Sequence, residues 1–206
     1  MESSPELKPF IDRAMRSPLR ESMITKLGRP MKTEGEIRPT DIAPVVAPSA
    51  RTQAPTVFPM VWGFSHPKGN GSPLPNARVE TAAINSVWRK AWKFHRCIIP
   101  SSYYFEWEYL TAPDGTKKPG QKYMLQPKGS PLTFLAGMYQ IEEHRGVKLP
   151  VFTILTRTPG ENIAFIHNRM PVILPREVLR AWLSPKETPE EIIEFAITEM
   201  HYEKVI

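Results

Sequence analysis

Proline occupies 23 of the 206 positions and is scattered along the chain, not gathered in one tract. That is about twice the ordinary share of roughly 5%. Each proline removes a backbone donor and fixes φ, so it stops helices and is confined to the ends, edges or bulges of strands. A chain punctuated in this way cannot build a bundle of long helices. Many short strands joined by turns and irregular connections are expected instead.

At 206 residues the chain is read as one domain with enough length for a sizeable core. No apolar run approaches the ~18 residues of a membrane span, and the first residues lack a signal-peptide pattern, so a soluble, cytoplasmic protein without a membrane partner is expected. The one cysteine, Cys97, excludes an internal disulfide. A formal charge of +6 and a pI near 9.5 favour acidic partners, nucleic acid foremost. A generically basic protein is the plain alternative.

Helical signals open the chain. Ser4-Pro5-Glu6 is a cap with proline in the first turn, and Leu7, Phe10, Ile11, Ala14 and Met15 make one apolar stripe. A second short helix starts at Ser17-Pro18 and ends near Gly28. Residues 29–75 alternate proline with β-type runs around Val45–Ala47 and Met60–Trp62. Thr81 to Phe94 has helical spacing. Cys97 to Trp107 reads as one β run, Asp114 to Gly120 as a hairpin loop, and Tyr123–Gln126, Thr133–Gln140 and Val151–Leu155 as strands. Short helices are expected over Glu161–His167, Arg176–Leu183 and Pro189–Met200. The class is α+β, with the strands in the middle.

Four polar positions stand out. The stretch Phe165 to Leu174, "FIHNRMPVIL", sets His167 before Pro171, which forces the chain from a turn into extended backbone and fixes the direction of the imidazole. Histidine holds or releases a proton near neutral pH. Arg169 either binds phosphate or locks the bend by bonding carbonyls. Glu106 lies between Phe105 and Trp107: it is either a desolvated carboxyl fit for proton transfer or, by strand alternation, solvent-facing. In Asn76-Ala77-Arg78-Val79-Glu80 a loop enters a helix, so Arg78 either meets phosphate there or pairs with Glu80. His95, Glu106 and His167 lack the close ligand spacing of a zinc site, and no metal or cofactor is expected. Cys97 in "RCIIP" reads as a buried, inert thiol.

Seven stretches occur in order: "RPTDIAPVV", "VWGF", "NARVET", "RCIIPSSYYFEW", "FLAGMY", "FTILTRTP" and "HNRMPVIL". Together they resemble the SOS-response-associated peptidase (SRAP) family, with the motif-bearing core over about 38–183 of a single 1–206 domain. The resemblance implies curved, mostly antiparallel sheets forming a partly open barrel with peripheral helices, and a groove for single-stranded DNA. It also implies a monomer that binds abasic sites, cytoplasmic and nucleoid-associated when DNA is damaged.

Family chemistry uses a cysteine directly after the initiator methionine, freed by self-processing. Its α-amine, with a pKa of about 7.7–8.0, attacks the abasic aldehyde to give an imine. The thiol then closes a thiazolidine crosslink. Carried over residue by residue, the resemblance implies that Asn76 orients the sugar or the N-terminal residue, Glu106 exchanges protons during imine formation, and His167 shuttles a proton to the sugar oxygen. Arg78 and Arg169 contact DNA, and Trp62 and Gly63 line its groove.

The chain departs from the family pattern at its start, Met1-Glu2-Ser3-Ser4, where the cysteine is absent. Cys97 cannot replace it, because its amine is in a peptide bond. The chain as written is therefore expected not to crosslink. Truncation of a short first strand is the favoured explanation, and loss of the nucleophile with retained strand binding is the alternative. Tyr103 and Phe105 stand where the family usually has glycine and tyrosine.

Overall fold

A computed structural model describes residues 4–69, 71–144 and 146–205, without the side chains of Lys117 and His144; Met1 to Ser3, where the family cysteine was sought, lie outside the described residues. A 3-10 turn, Pro5–Leu7, leads into α1 (Lys8–Met15), and α2 (Leu19–Leu27) follows. Both expected helices are present. α2 stops at Gly28, whose φ of 66° is the left-handed cap that a residue without Cβ adopts at no cost. The apolar stripe of α1 packs on the sheet: Ala14 is fully buried and Phe10 meets Phe134 edge-on at 6.3 Å.

The strands are β1 (Ile42–Pro48), β2 (Pro55–Trp62), β3 (Asn76–Arg78), β4 (Arg96–Ser101), β5 (Tyr104–Thr111), β6 (Lys117–Pro127), β7 (Thr133–His144), β8 (Val147–Arg157), β9 (Met170–Pro171) and β10 (Met200–Lys204). The main sheet runs β2-β1-β4-β7-β8-β3 and is antiparallel from β2 to β8. A short parallel pairing, Val61↔Val151 and Trp62↔Phe152, joins β2 back to β8 and closes a five-stranded barrel. A separate three-stranded sheet, β10-β6-β5, lies against it, and the helices are peripheral. The fold is therefore α+β with a β-barrel at its centre, as the class reading expected.

Alternation along the barrel strands feeds two cores. Ile42, Val46, Ile98, Val151 and Leu155 join the helices in one cluster. Ala43, Val45, Cys97, Ile99, Phe152 and Ile154 join Tyr123, Leu125 and Met200 of the second sheet in the other. The strands are buried on both faces, which is why they read as near-continuous apolar runs.

Three expected elements differ. The helix over Thr81–Phe94 is broken into α3 (Val79–Ala82) and α4 (Arg89–Phe94). Between them the Asn85 side chain accepts the Val87 N–H at 2.9 Å, a local turn that competes with the helix. The β run Cys97–Trp107 splits at Ser101-Ser102, where the Ser101 hydroxyl donates to the Tyr103 carbonyl at 2.6 Å and the chain crosses from barrel to second sheet. After α5 (Leu179–Leu183), the last helix α6 stops at Ile193. Residues 200–204 pair with β6 instead, an outcome of tertiary contact that the apolar pattern of 192–197 conceals.

Arg96 ties the helical side together. It is 2% exposed, lies 5.4 Å from the Trp182 ring, and donates to the carbonyls of Trp92, Lys93, Trp182, Ser184 and Glu187. The carbonyls of Trp92, Lys93, Trp182 and Ser184 lie at the ends of α4 and α5 and that of Glu187 in the connection after α5, so one guanidinium caps two helices and offsets their negative ends. Trp182 completes the knot by donating its indole N–H to the Cys97 carbonyl at 2.9 Å.

Candidate functional site

A cavity of about 540 Å³ opens between the barrel and the second sheet. Its floor is apolar, with Ala43, Ile99, Leu135, Phe152, Ile154 and Met170, and its polar wall holds Asn76, Arg78, Glu106, Thr156, His167 and Arg169. Residues 33–39 form the opposite wall, fastened to β6 by the 3.0 Å Glu36–Lys122 ion pair. The Lys122 ammonium beside it holds the Glu36 carboxyl below its ordinary range.

Glu106 faces inward. Its side chain is 27% exposed, whereas Trp107 is 43% exposed, so strand alternation runs opposite to the solvent-facing alternative. Burial pushes the Glu106 carboxyl above the ordinary carboxylate range, opposed by the nearby His167 charge and by the Trp107 N–H that donates at 3.1 Å. Glu106 Oε2 lies 3.7 Å from His167 Nδ1.

His167 sits where 3-10 turns give way to β9, which pairs with Thr156 and Arg157 of β8. This is the exit into extended backbone that Pro171 demanded. The imidazole is gripped through Nδ1: the Arg169 N–H lies 3.1 Å away and the Arg169 carbonyl 3.0 Å away. Bare Nδ1 accepts from the N–H; protonated Nδ1 donates to the carbonyl or toward Glu106. Nδ1 therefore has a partner whether or not it carries the proton.

Arg169 is committed to that bend. Its guanidinium makes a two-pronged pair with Glu80 at 2.6 and 2.8 Å and donates to the Thr156 carbonyl at 2.6 Å. The pair holds the Glu80 carboxyl below its usual range. Of the alternatives the sequence left open, the carbonyl-bonding role is the one seen here. Because Arg169 takes Glu80, the Arg78 guanidinium is left exposed on the cavity wall, with no hydrogen bond or salt bridge of its own among the described residues, although its charge helps lower the Glu80 carboxyl.

Asn76 precedes it on β3, also exposed, in parallel register with Ile154. Trp62 lines the cavity, stacked on Phe152 at 6.1 Å, with its indole N–H donated to the Pro75 carbonyl at 2.8 Å. Gly63 is not part of the wall. Its φ of 117° and the 2.8 Å approach that a Cβ would make to Pro73 assign it to the turn after Trp62. Cys97 is fully buried, which raises its thiol well above the ordinary range. Among the described residues no group of histidine, cysteine and carboxylate converges on a metal position, and no helix is long and apolar enough to cross a membrane.

Residues 12–205 fit the model of the SOS response associated peptidase (SRAP). The chain belongs to the SRAP family. Two members it resembles are the abasic site processing protein YoaM of Bacillus subtilis, 35% identical over 138 residues, and YedK of Escherichia coli, 30% identical over 142 residues. Those matches take in 65% and 67% of this chain and 59% and 60% of the relatives, so the chain spans about three fifths of their length. Among solved structures, a Bacteroides thetaiotaomicron protein superposes with a TM-score of 0.74 at 21% identity, covering 100% of this chain and 90% of the other. A phage-related protein of Bordetella bronchiseptica gives 0.67 at 23%, covering 92% and 90%. At such identity these two likenesses speak for the fold alone.

The sequence reading missed two participants. Glu80 was weighed only as a partner for Arg78, and nothing in a five-residue stretch reveals that Arg169, 89 positions away, reaches it first. Tyr109 was not singled out, yet its ring lies 5.3 Å from that of His167.

Proposed function

We propose that this SRAP domain binds single-stranded DNA at abasic sites, with the sugar entering the cavity beside Glu106 and His167. The observation that carries this reading is the pairing of an inward, desolvated carboxyl with an imidazole whose Nδ1 is partnered in both protonation states. That is proton-transfer machinery at the wall of a chamber with room for a sugar. The names of the SRAP relatives point to the same lesion.

In the covalent form of the reaction, an N-terminal cysteine exposed by self-processing supplies an α-amine. The amine adds to the sugar aldehyde, and water leaves as the imine forms. Glu106 gives the proton that the departing hydroxyl needs and recovers one from nitrogen. His167 protonates the ring oxygen as the sugar opens. The thiol then adds to the imine carbon, and its proton passes to nitrogen, closing the thiazolidine. Asn76 orients the sugar. Arg78, an unpaired cation on the rim, takes phosphate. Trp62 offers the groove an aromatic wall, and Gly63 permits the turn that holds it. Arg169 serves the frame that aims His167 rather than the strand itself. A non-covalent single-strand binding module with the same pocket is the second reading, motivated by the exposed Arg78 guanidinium on the cavity wall.

The test compares the chain as it stands with one carrying Met-Cys-Gly-Arg and a short spacer ahead of Met1. Each is mixed with an oligonucleotide holding one abasic site and run on a denaturing gel. A shifted band from the extended chain alone supports the covalent reading. Preferential native-gel binding to the lesion with no stable adduct from either leaves the binding module. Equal affinity for lesion and intact strands sinks both.

A further inference from the structure

Simple alternation along β5 sets Tyr109 on the face of Trp107, away from Glu106. The partner strand departs from regular pairing beside it. Trp107 pairs with Lys122 and Tyr109 with Pro119, so β6 carries an extra residue between the two pairs. Such bulges turn a strand and re-aim its side chains, and they gather beside functional sites. Next to this irregularity the Tyr109 ring meets that of His167, at 5.3 Å between centroids and 44° between planes. Tyr109 is nevertheless 47% exposed and is not among the residues walling the cavity. An aromatic ring therefore stands just outside the chamber, braced against the imidazole, with much of its surface open.

We infer that Tyr109 forms a stacking subsite for the base of the nucleotide next to the abasic one. This deepens the function proposed above and rests on it. An abasic sugar held at Glu106 and His167 has no base of its own. Its neighbour does, and the flexible linkage between them leaves that base at the mouth of the chamber, unstacked on the lesion side. An exposed aromatic face is the group that captures such a base, whatever its sequence. Tyr109 meets strand on one side of the lesion only, so one neighbour matters and the other does not. Phe165 supplies the internal comparison. It is 52% exposed, but its ring contacts are with Tyr123 and Tyr202 at 5.8 and 5.4 Å, not with His167.

Fluorescence anisotropy on short single strands tests this without crosslinking. The probes are an intact strand, one with a central tetrahydrofuran abasic analogue, and two in which either neighbouring base is also replaced by tetrahydrofuran. The unaltered protein is expected to lose about tenfold in affinity when one particular neighbour is removed, the usual worth of one base–aromatic stack. Tyr109→Ala should bind that strand and the single-lesion strand equally, while Tyr109→Phe and Phe165→Ala keep the parent's dependence. If Tyr109→Ala retains the dependence, or the parent shows none at either neighbour while still preferring the lesion, the subsite is wrong and the function stands. If the parent does not distinguish lesion from intact strand, the function fails and the subsite falls with it.

Discussion

The Arg96 knot and the Glu106–His167 pocket are both places where charge-bearing side chains leave water, and they solve that problem in opposite ways. Arg96 reaches the carbonyls of five residues and stacks on Trp182, so its burial leaves little unmet demand. Glu106 receives one N–H from Trp107 and faces His167 across 3.7 Å. Its burial shifts its proton affinity instead of being balanced by partners. A satisfied buried charge rigidifies a fold; an under-satisfied one is reactive and costs stability. The same chain has spent its hydrogen bonds on the structural side and withheld them on the other.

Breaking the knot should have the largest effect. Arg96→Met leaves several helix-end carbonyls without donors and is expected to cost about 3 kcal/mol or more in urea unfolding. A loss under 1 kcal/mol would mean that water replaces the guanidinium and that the contrast is false.

The pocket should respond in rate, not in folding. In the chain extended by Met-Cys-Gly-Arg and a spacer, Glu106→Gln or His167→Ala is expected to slow adduct formation about 100-fold, the lower range for a positioned acid–base group. Lesion binding should be nearly unchanged. Glu106→Gln has a second signature. Because the folded state holds the Glu106 proton more tightly than the unfolded chain, ionising Glu106 opposes folding as pH rises through the interval up to its raised value. Glutamine should therefore be more heat-stable than the parent at neutral pH, with the difference vanishing below the ordinary carboxylate range. A variant less stable at neutral pH would show that Glu106 belongs with Arg96 on the structural side.

Arg78→Ala sharpens the comparison from outside. With no ion pair to lose, it should leave the melting temperature unchanged. Single-strand affinity should fall, and the slope of log affinity against log salt should shrink by about 0.7, the share of one phosphate contact. An unchanged slope would remove Arg78 from the strand path.

The smallest effect belongs to Glu80→Gln, which loosens Arg169. The pair is partly solvated, with side chains 19% and 47% exposed, so under about 1 kcal/mol is expected at neutral pH. Glu80 is held below its usual range, so its contribution exists above the unfolded carboxylate pKa and disappears as pH falls through the lowered folded value. A loss that persists in acid would point to packing rather than charge.

What the sequence by itself determined is local and periodic. Scattered prolines ruled out long helices, the apolar β-type runs marked strands, and Pro171 fixed the bend after His167. Glu106 and His167 were legible as candidates, because an acid among aromatics and an imidazole at a proline junction carry their chemistry in neighbouring letters. Tertiary structure decided what depends on partners distant in sequence. It gave Glu80 to Arg169 and left Arg78 unpaired. It set the ring of Tyr109 beside that of His167 and drew residues 200–204 into a sheet. It also made Arg96, read only as part of a β run, the cap of two helices. Periodicity reports which face a residue occupies; it cannot report which of several competing partners reaches a side chain first, since that is set by distances that exist only once the chain has closed on itself.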